Sequence, residues 1–193
     1  MRTFVWLFSV GVSIFLMAAC RARESQPEYR PTATIKDIMD SIVDPSADLL
    51  FDSVATIVTK AGTEERAPHT DEEWRDVRRS AVRVIEGTNL LIMPGRHVAK
   101  PGEKSENPGI ELGPEEIEAV IDKDRVAWTT FAHGLHDAAT EALRGIETKD
   151  AQALSNAGEK IDAACENCHL KYWYPNQEES LKAALKKQKE GGQ

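Results

Sequence analysis

The chain has 193 residues, which is the length of one domain with its own hydrophobic core, and its formal net charge at pH 7 is −8. A net negative charge argues against nucleic acid as a partner, because a phosphate backbone attracts basic surfaces. It permits docking with a basic protein, and ordinary solubility explains it equally well.

The N-terminal segment has the pattern of a bacterial export signal. Arg2 is its only charged residue, and an almost unbroken apolar run follows at residues 4–17. This run is too short for a membrane-spanning helix. Residues 16–20, Leu-Met-Ala-Ala-Cys, resemble a lipobox, in which the cysteine is lipidated and becomes the mature N-terminus. The pattern therefore predicts export to the periplasmic side of a bacterial membrane.

Lipidation of Cys20 would hold the protein on a membrane surface without spanning it. We expect a lipoprotein signal peptide at 1–19, followed by a polar tether at 20–33 that contains two prolines. Simple secretion into the periplasm is the alternative. The sequence leaves open whether the inner or the outer membrane holds the lipid.

The remaining chain predicts four amphipathic helices and no strand. Apolar residues recur at three- and four-residue spacing over four segments: 34–62, 70–93, 114–146 and 148–175. Pro45 is expected to break or kink the first helix. The proline- and glycine-rich segment 95–113 predicts a long irregular connection, which either covers part of a cofactor or is disordered. A charged tail occupies 176–193. Short connections within each pair of helices favour an all-α, up-down-up-down four-helix bundle.

A cysteine motif lies near the end of the fourth predicted helix, at Cys165-Glu166-Asn167-Cys168-His169. On a helix, residues three and four apart share a face, so both thiols and the imidazole project together. This spacing suits haem c: each thiol adds to one vinyl group, and His169 binds the iron on the proximal side. A redox dithiol would be expected in a βαβ context, and a structural zinc site needs four ligands. With Cys20 at the processing site, no cysteine remains for a disulfide.

With this motif in the last turns of a fourth helix, the chain resembles the class II c-type cytochromes. That family comprises cytochrome c-prime and its low-spin, methionine-ligated relatives. The similarity covers about residues 34–175, and its specific part is the motif at 165–169 with Tyr172, an aromatic residue three positions later. The family often has an arginine next, where this chain has Trp173. The resemblance implies one covalent haem near the C-terminal end of the last helix, and family members are often homodimers.

The sixth coordination position of the iron has three candidate residues at the same end of the expected bundle. Met39 begins the first helix, Met93 ends the second, and His97 lies just beyond it. Low-spin family members use a methionine of the first helix, so Met39 is preferred, with Met93 the runner-up and His97 third. In the alternative, Met39 packs in the core and the iron is five-coordinate. His133 and His136 are expected far from the haem.

Two functions are compatible with such a site. The first is a lipid-anchored one-electron carrier that is not an enzyme and that serves an unidentified redox partner protein. The second is a five-coordinate protein that binds nitric oxide or another diatomic gas in an apolar pocket lined by Ile35, Ile38 and Ile42. A third possibility is a helical lipoprotein that binds no haem, in which the motif is coincidental. The chain has no nucleophile elbow, phosphate-binding glycine loop or zinc-hydrolase spacing.

Overall fold

The computed structural model describes residues 29–177. The predicted signal peptide, the predicted lipidation site Cys20, most of the predicted tether and all but the start of the tail lie outside these residues. The chain divides into two units between Arg30 and Pro31, and every described helix and strand belongs to the second unit. None of the helices within residues 29–177 is long and apolar enough to cross a membrane.

The described chain is mainly helical, with one small antiparallel hairpin. Its elements, in chain order, are α1 (Ile35–Ile38), a π-helical turn (Met39–Val43, the π turn), α2 (Asp44–Ser53), β1 (Ala55–Thr59), β2 (Gly62–Arg66), α3 (Asp71–Leu91), α4 (Pro114–Lys123), α5 (Arg125–Glu147), α6 (Ala151–Tyr172) and a 3₁₀ turn (Pro175–Gln177). The all-α class predicted from the apolar spacing is confirmed, whereas the expected absence of strands is not.

Side-chain caps fix where the main helices begin. Thr34 and Asp37 form a capping box at α1, and Thr70 and Glu73 form another at α3. In each box, the threonine hydroxyl accepts from a backbone N–H of the first turn while the carboxylate accepts from the threonine N–H. Asp150 caps α6 by accepting from a backbone N–H three residues on. Free N–H groups of the first turns thus gain partners, which typically stabilises each helix by about 1 kcal/mol.

The prediction that the first helix extends to residue 62 is wrong. It ends at Ser53, and Ala55–Thr59 pairs with Gly62–Arg66 in an antiparallel hairpin. The first strand has four β-branched residues in succession, which lose side-chain freedom in a helix and favour extended backbone. Gly62 has a φ of +140°, a conformation that residues with a Cβ rarely adopt, so it permits the tight turn.

The third predicted helix is interrupted at Asp124, which separates α4 from α5. Its backbone leaves the helical region, with φ −145° and ψ 72°. The Asp124 carboxylate accepts a hydrogen bond from the N–H of Ala127 at 2.9 Å and so caps the next helix. A short acidic side chain competes in this way with the backbone hydrogen bonds of a continuous helix. The apolar spacing did not indicate the interruption, because it continues across Asp124. One continuous helix over 114–146 was therefore a wrong prediction.

The distortion expected at Pro45 takes the form of the π turn. The N–H of Asp44 donates to the carbonyl of Met39, five residues back rather than four. Pro45 has no N–H, and in a regular α-helix its ring would collide with the carbonyl four residues earlier. The wider turn removes that conflict, and the chain continues directly into α2 without a break.

The hydrophobic core lies between the long helices. α5 packs against α6 and α3, and α2 packs against α3. The buried apolar residues are mostly those that the helical spacing predicted: Trp74, Val77, Ala81, Val84, Ile85 and Leu91 on α3, Trp128, Leu135, Ala138, Ala142 and Ile146 on α5, and Leu154, Ala157, Ile161 and Tyr172 on α6. Burial of each large apolar side chain stabilises the fold by about 1.5–3 kcal/mol.

Candidate functional site

The cysteine motif occupies the last turns of α6, where helical geometry brings its functional side chains together. Cys165, Cys168 and His169 are each partly buried, and both thiols are free and pack against the core. Burial raises the pKa of Cys165 to about 11 and that of Cys168 to about 12, and neighbouring negative charges add to both shifts. Reactive redox cysteines have lowered pKa values beside positive charge. These thiols have the opposite environment.

Two adjoining cavities open beside this motif. The inner cavity, of about 440 Å³, is lined by the motif residues, by Met39 and Trp173, and by apolar side chains: Ile35, Leu91, Trp128, Phe131, Ala132, Leu135 and Ala164. The outer cleft, of about 800 Å³, is bordered by charged side chains and opens to solvent. Both volumes include open space at the cavity mouths. Three residues line both cavities: Met39, His169 and Trp173.

Of the three candidates for the sixth ligand, the structure brings only Met39 to the cavities that His169 lines. The sulfur of Met93 accepts a hydrogen bond from Nη2 of Arg96 at 3.2 Å. Nδ1 of His97 lies 2.8 Å from a carboxylate oxygen of Glu118, and its side chain is 73% exposed. Neither Met93 nor His97 lines the inner cavity or the outer cleft.

The two histidines of α5 also lie away from these cavities. His133 is exposed, and His136 faces the neighbouring Asp137, with 3.5 Å between ring nitrogen and carboxylate oxygen. Neither residue lines the inner cavity or the outer cleft, as their distance along the helix predicted. Within residues 29–177, no three His, Cys, Asp or Glu side chains are grouped so that they could hold a metal ion. This part of the chain therefore offers no four-ligand zinc site.

Aromatic residues hold His169 at the end of α6. The backbone N–H groups of Trp173 and Tyr174 both donate to its carbonyl, at 2.8 and 3.0 Å. Their rings lie 5.7 and 6.1 Å from the imidazole, tilted by 55° and 59°. The Tyr174 hydroxyl donates to the carboxylate of Glu166 at 2.8 Å. Trp173 stands where the resembling family has an arginine, and it supplies an apolar wall of the site.

The 95–113 connection has a defined path and forms one wall of the outer cleft. Its lining residues are Val98, Ala99, Lys104, Ser105, Glu106, Glu111 and Leu112. The backbone N–H of Ile35 donates to the carbonyl of His97 at 2.9 Å, and that of Leu112 donates to the carbonyl of Trp173 at 2.8 Å. These bonds attach the connection to α1 and to the end of α6. Sequence reasoning identified the segment but could not assign its contacts.

Charged side chains surround the outer cleft, and carboxylates outnumber cations. Its acidic residues are Asp40, Asp44, Glu106 and Glu111, and its lysines are Lys36 and Lys104. Lys36 forms an ion pair with Glu106 at 2.7 Å. Partial burial raises the pKa of the Asp44 carboxyl, the nearby His169 opposes that shift, and neighbouring aspartates add to it. The cleft thus joins an apolar floor to an anionic mouth.

Trp128 and Tyr172 form a buried aromatic cluster next to the inner cavity. The Trp128 indole N–H donates to the carbonyl of Leu91 at 3.2 Å. The Tyr172 ring meets the rings of Trp128 and Phe131 edge to face, with centroids 5.1 and 5.6 Å apart. The Tyr172 hydroxyl is buried and has no hydrogen-bond partner among the described residues. Trp128 therefore belongs to the hydrophobic core and also lines the inner cavity.

No family model, curated protein sequence or solved structure matches this chain. The chemistry of the site is therefore argued from its own residues.

Proposed function

We propose that the protein is an exported, lipid-anchored monohaem c-type cytochrome that acts as a one-electron carrier. Haem c would be bound covalently through Cys165 and Cys168, with His169 as the proximal and Met39 as the distal iron ligand. Cys20 would anchor the chain on the periplasmic side of a bacterial membrane. The observation that carries the proposal is the convergence of two thiols, an imidazole and a thioether on one apolar cavity.

The donor set and the cavities are compatible with haem c. The apolar lining of the inner cavity suits the body of a porphyrin, and both thiols border it. The outer cleft opens to water and contains Lys104, which would pair with a haem propionate, whereas Lys36 already pairs with Glu106. When bound, the haem would supply an iron that cycles between Fe(II) and Fe(III).

The roles of the protein residues follow from their chemistry. His169 and Met39 would keep the iron six-coordinate in both oxidation states, so that little rearrangement accompanies electron transfer. A thioether ligand raises the reduction potential, as does an apolar surrounding that excludes water. Trp128, Phe131 and Leu135 provide such a surrounding on the α5 side of the cavity.

The proposed architecture is an up-down-up-down four-helix bundle with the haem near the C-terminal end of α6. Its four helices would be α1 with the π turn and α2, then α3, then α4 with α5, and finally α6. The packing of α2 on α3, of α3 on α5 and of α5 on α6 supports this assignment. The hairpin would then be an insertion between the first two helices.

A five-coordinate iron that binds nitric oxide or another diatomic gas is the second candidate function. It would need Met39 to stay off the iron, and Met39 does pack against the core. Of the three isoleucines expected to line its distal pocket, however, only Ile35 lines the inner cavity. Ile38 and Ile42 face the core instead. We therefore favour the electron carrier.

The test is the optical spectrum of the full-length protein exported from a host that matures c-type cytochromes. We expect covalent haem, a low-spin spectrum, and a weak near-infrared sulfur–iron band in the oxidised form. Met39→Ala should abolish this band and allow the reduced protein to take up carbon monoxide. Met93→Ala is the matched control and should leave the band unchanged, because the Met93 sulfur contacts Arg96.

Two results would contradict the carrier. A wild-type protein that is high-spin and takes up carbon monoxide readily at neutral pH would favour the gas-binding function. Exported protein whose two thiols are free by mass analysis, with no porphyrin adduct, would exclude both haem functions.

A further inference from the structure

The π turn packs closely against α3, at a glycine near the C-terminal end of that helix. A Cβ placed on Gly87 would lie 2.8 Å from Cγ2 of Val43 and 3.5 Å from Cγ2 of Ile42. The shorter distance is below normal contact, so any side chain at position 87 would push the π turn away from α3. Glycine within a helix is destabilising relative to alanine. Its presence here is explained by the space that Val43 and Ile42 occupy.

The π turn also changes which residues of the first helix face the core. The core-facing series that runs into the turn is Ile35, Ile38 and Ile42. The series that runs out of it is Val43, Ala47 and Leu50. Both series have helical spacing, but adjacent residues 42 and 43 both face Gly87. One continuous α-helix cannot do this, because successive residues point about 100° apart. The extra residue of the π turn absorbs the difference in register.

The change of helical register within the π turn determines where Met39 lies. If the series of α2 continued upstream in α-helical spacing, position 39 would fall on the core seam, four residues before Val43. In the structure, Ile38 takes the buried seam position, and Met39 is displaced to its side. There it lines both the inner cavity and the outer cleft, next to His169. The segment before it is fixed, because Ile35 and Lys36 donate to the carbonyls of His97 and Val98 at 2.9 and 3.0 Å.

We infer that the π turn, seated on Gly87, directs Met39 toward the iron, and that Gly87 is a positioning residue for the axial thioether. The inference rests on the proposed function, because it assigns a role to Met39 ligation. Gly87 itself lines neither cavity and acts through Val43 and Ile42. Overpacking at this contact should displace the π turn and weaken the bond between sulfur and iron, while the haem stays attached through α6.

The experiment compares four exported holoproteins: wild type, Gly87→Ala, Val43→Ala and the double variant. In Gly87→Ala, the equilibrium constant for methionine binding to the iron should fall about tenfold. The apparent affinity of the reduced protein for carbon monoxide should rise by about the same factor, and the near-infrared band should weaken as the open form becomes populated. Val43→Ala removes the methyl group that a Cβ at position 87 would strike. The double variant should therefore regain most of the band. If the loss in Gly87→Ala came instead from poorer packing in general, the double variant would have a weaker band than either single variant.

Gly134→Ala is the matched control. Gly134 lies within α5, and a Cβ there would meet no atom within 4 Å. This change should leave the band and the carbon monoxide binding at wild-type values. Far-ultraviolet circular dichroism and haem content establish that each variant is folded and loaded.

The outcomes separate the two claims. A wild-type protein without the band contradicts methionine ligation, and with it the proposed carrier. A Gly87→Ala variant that keeps both the band and the carbon monoxide affinity of the wild type overturns the positioning role alone. A band that is lost in Gly87→Ala and not regained in the double variant also overturns it, because the contact with Val43 would not be the cause.

Discussion

At the scale of single residues, the two motif cysteines are inert in the folded chain without haem. Their thiols are partly buried, and the thiolate is the form that reacts. Burial raises the pKa of Cys165 to about 11 and that of Cys168 to about 12. At neutral pH the thiolate fraction is therefore reduced about 100-fold or more. In the proposed cytochrome, this would favour attachment of the haem before the last helix packs against the core.

Alkylation of chain produced without haem maturation tests this environment. Iodoacetamide should modify Cys165 and Cys168 slowly at pH 7, and the rate should rise about tenfold per pH unit until the pH approaches 11. In urea, the same thiols should behave as free cysteine and reach half of their maximal rate near pH 8.5, by the usual value. Equal rates in both conditions, with circular dichroism still helical in buffer, would contradict the burial.

The buried hydroxyl of Tyr172 leads to a prediction about stability. A buried polar group without a partner costs about 1–3 kcal/mol. Tyr172→Phe keeps the ring contacts with Trp128 and Phe131 and removes only the hydroxyl. We expect the free energy of unfolding in urea to stay equal or to rise by about 1 kcal/mol.

Tyr174→Phe is the control for this substitution, because it removes a hydroxyl that does have a partner. The Tyr174 hydroxyl bonds to Glu166 near the surface, so its loss should lower the free energy of unfolding by about 0.5–1.5 kcal/mol. If Tyr172→Phe were the more destabilising change in the holoprotein, the Tyr172 hydroxyl would have a partner there.

At the scale of elements, the helix starts were predictable because local side chains determine them. The Thr70 and Glu73 capping box and Pro114 at the first turn of α4 are both visible in the sequence. The interruptions were harder. Asp124 lies within a segment whose apolar residues keep helical spacing throughout. Its side chain stabilises the interrupted backbone by capping α5, and only a small free energy separates this arrangement from one continuous helix. The hairpin at 55–66 has β-branched residues that also fit an apolar helical pattern.

The composition of the candidate site was predictable in part, for a similar reason. The spacing of Cys165, Cys168 and His169 is local, so one helix determines their common face. Whether Met39 or Met93 faces that helix depends on tertiary contacts. Arg96 holds the Met93 sulfur while its Nε also donates to the carbonyl of Leu90 at 2.7 Å. No spacing rule indicates such a contact, and the same is true of the packing of Val43 on Gly87.

At the scale of the whole molecule, the charge is negative, and the cleft where an electron would enter or leave the proposed haem has more carboxylates than lysines. The formal net charge is −8, and four carboxylates line the outer cleft. Opposite charges accelerate the encounter of two solutes, and salt screens this effect over about 10 Å at 0.1 M ionic strength. The carrier function therefore predicts a redox partner with a basic surface.

Small inorganic oxidants test this prediction without a known partner. Oxidation of the reduced protein by a cationic cobalt(III) tris(phenanthroline) complex should slow as salt is added, and oxidation by anionic ferricyanide should accelerate. Asp40→Asn should weaken the salt dependence for both oxidants, because Asp40 is exposed at the outer cleft. Asp52→Asn changes the net charge equally, but it lies about 18 Å along the first helix, beyond the screening length. If both variants behaved alike, the net charge of the molecule would steer the reactants, and the cleft would have no special part in docking.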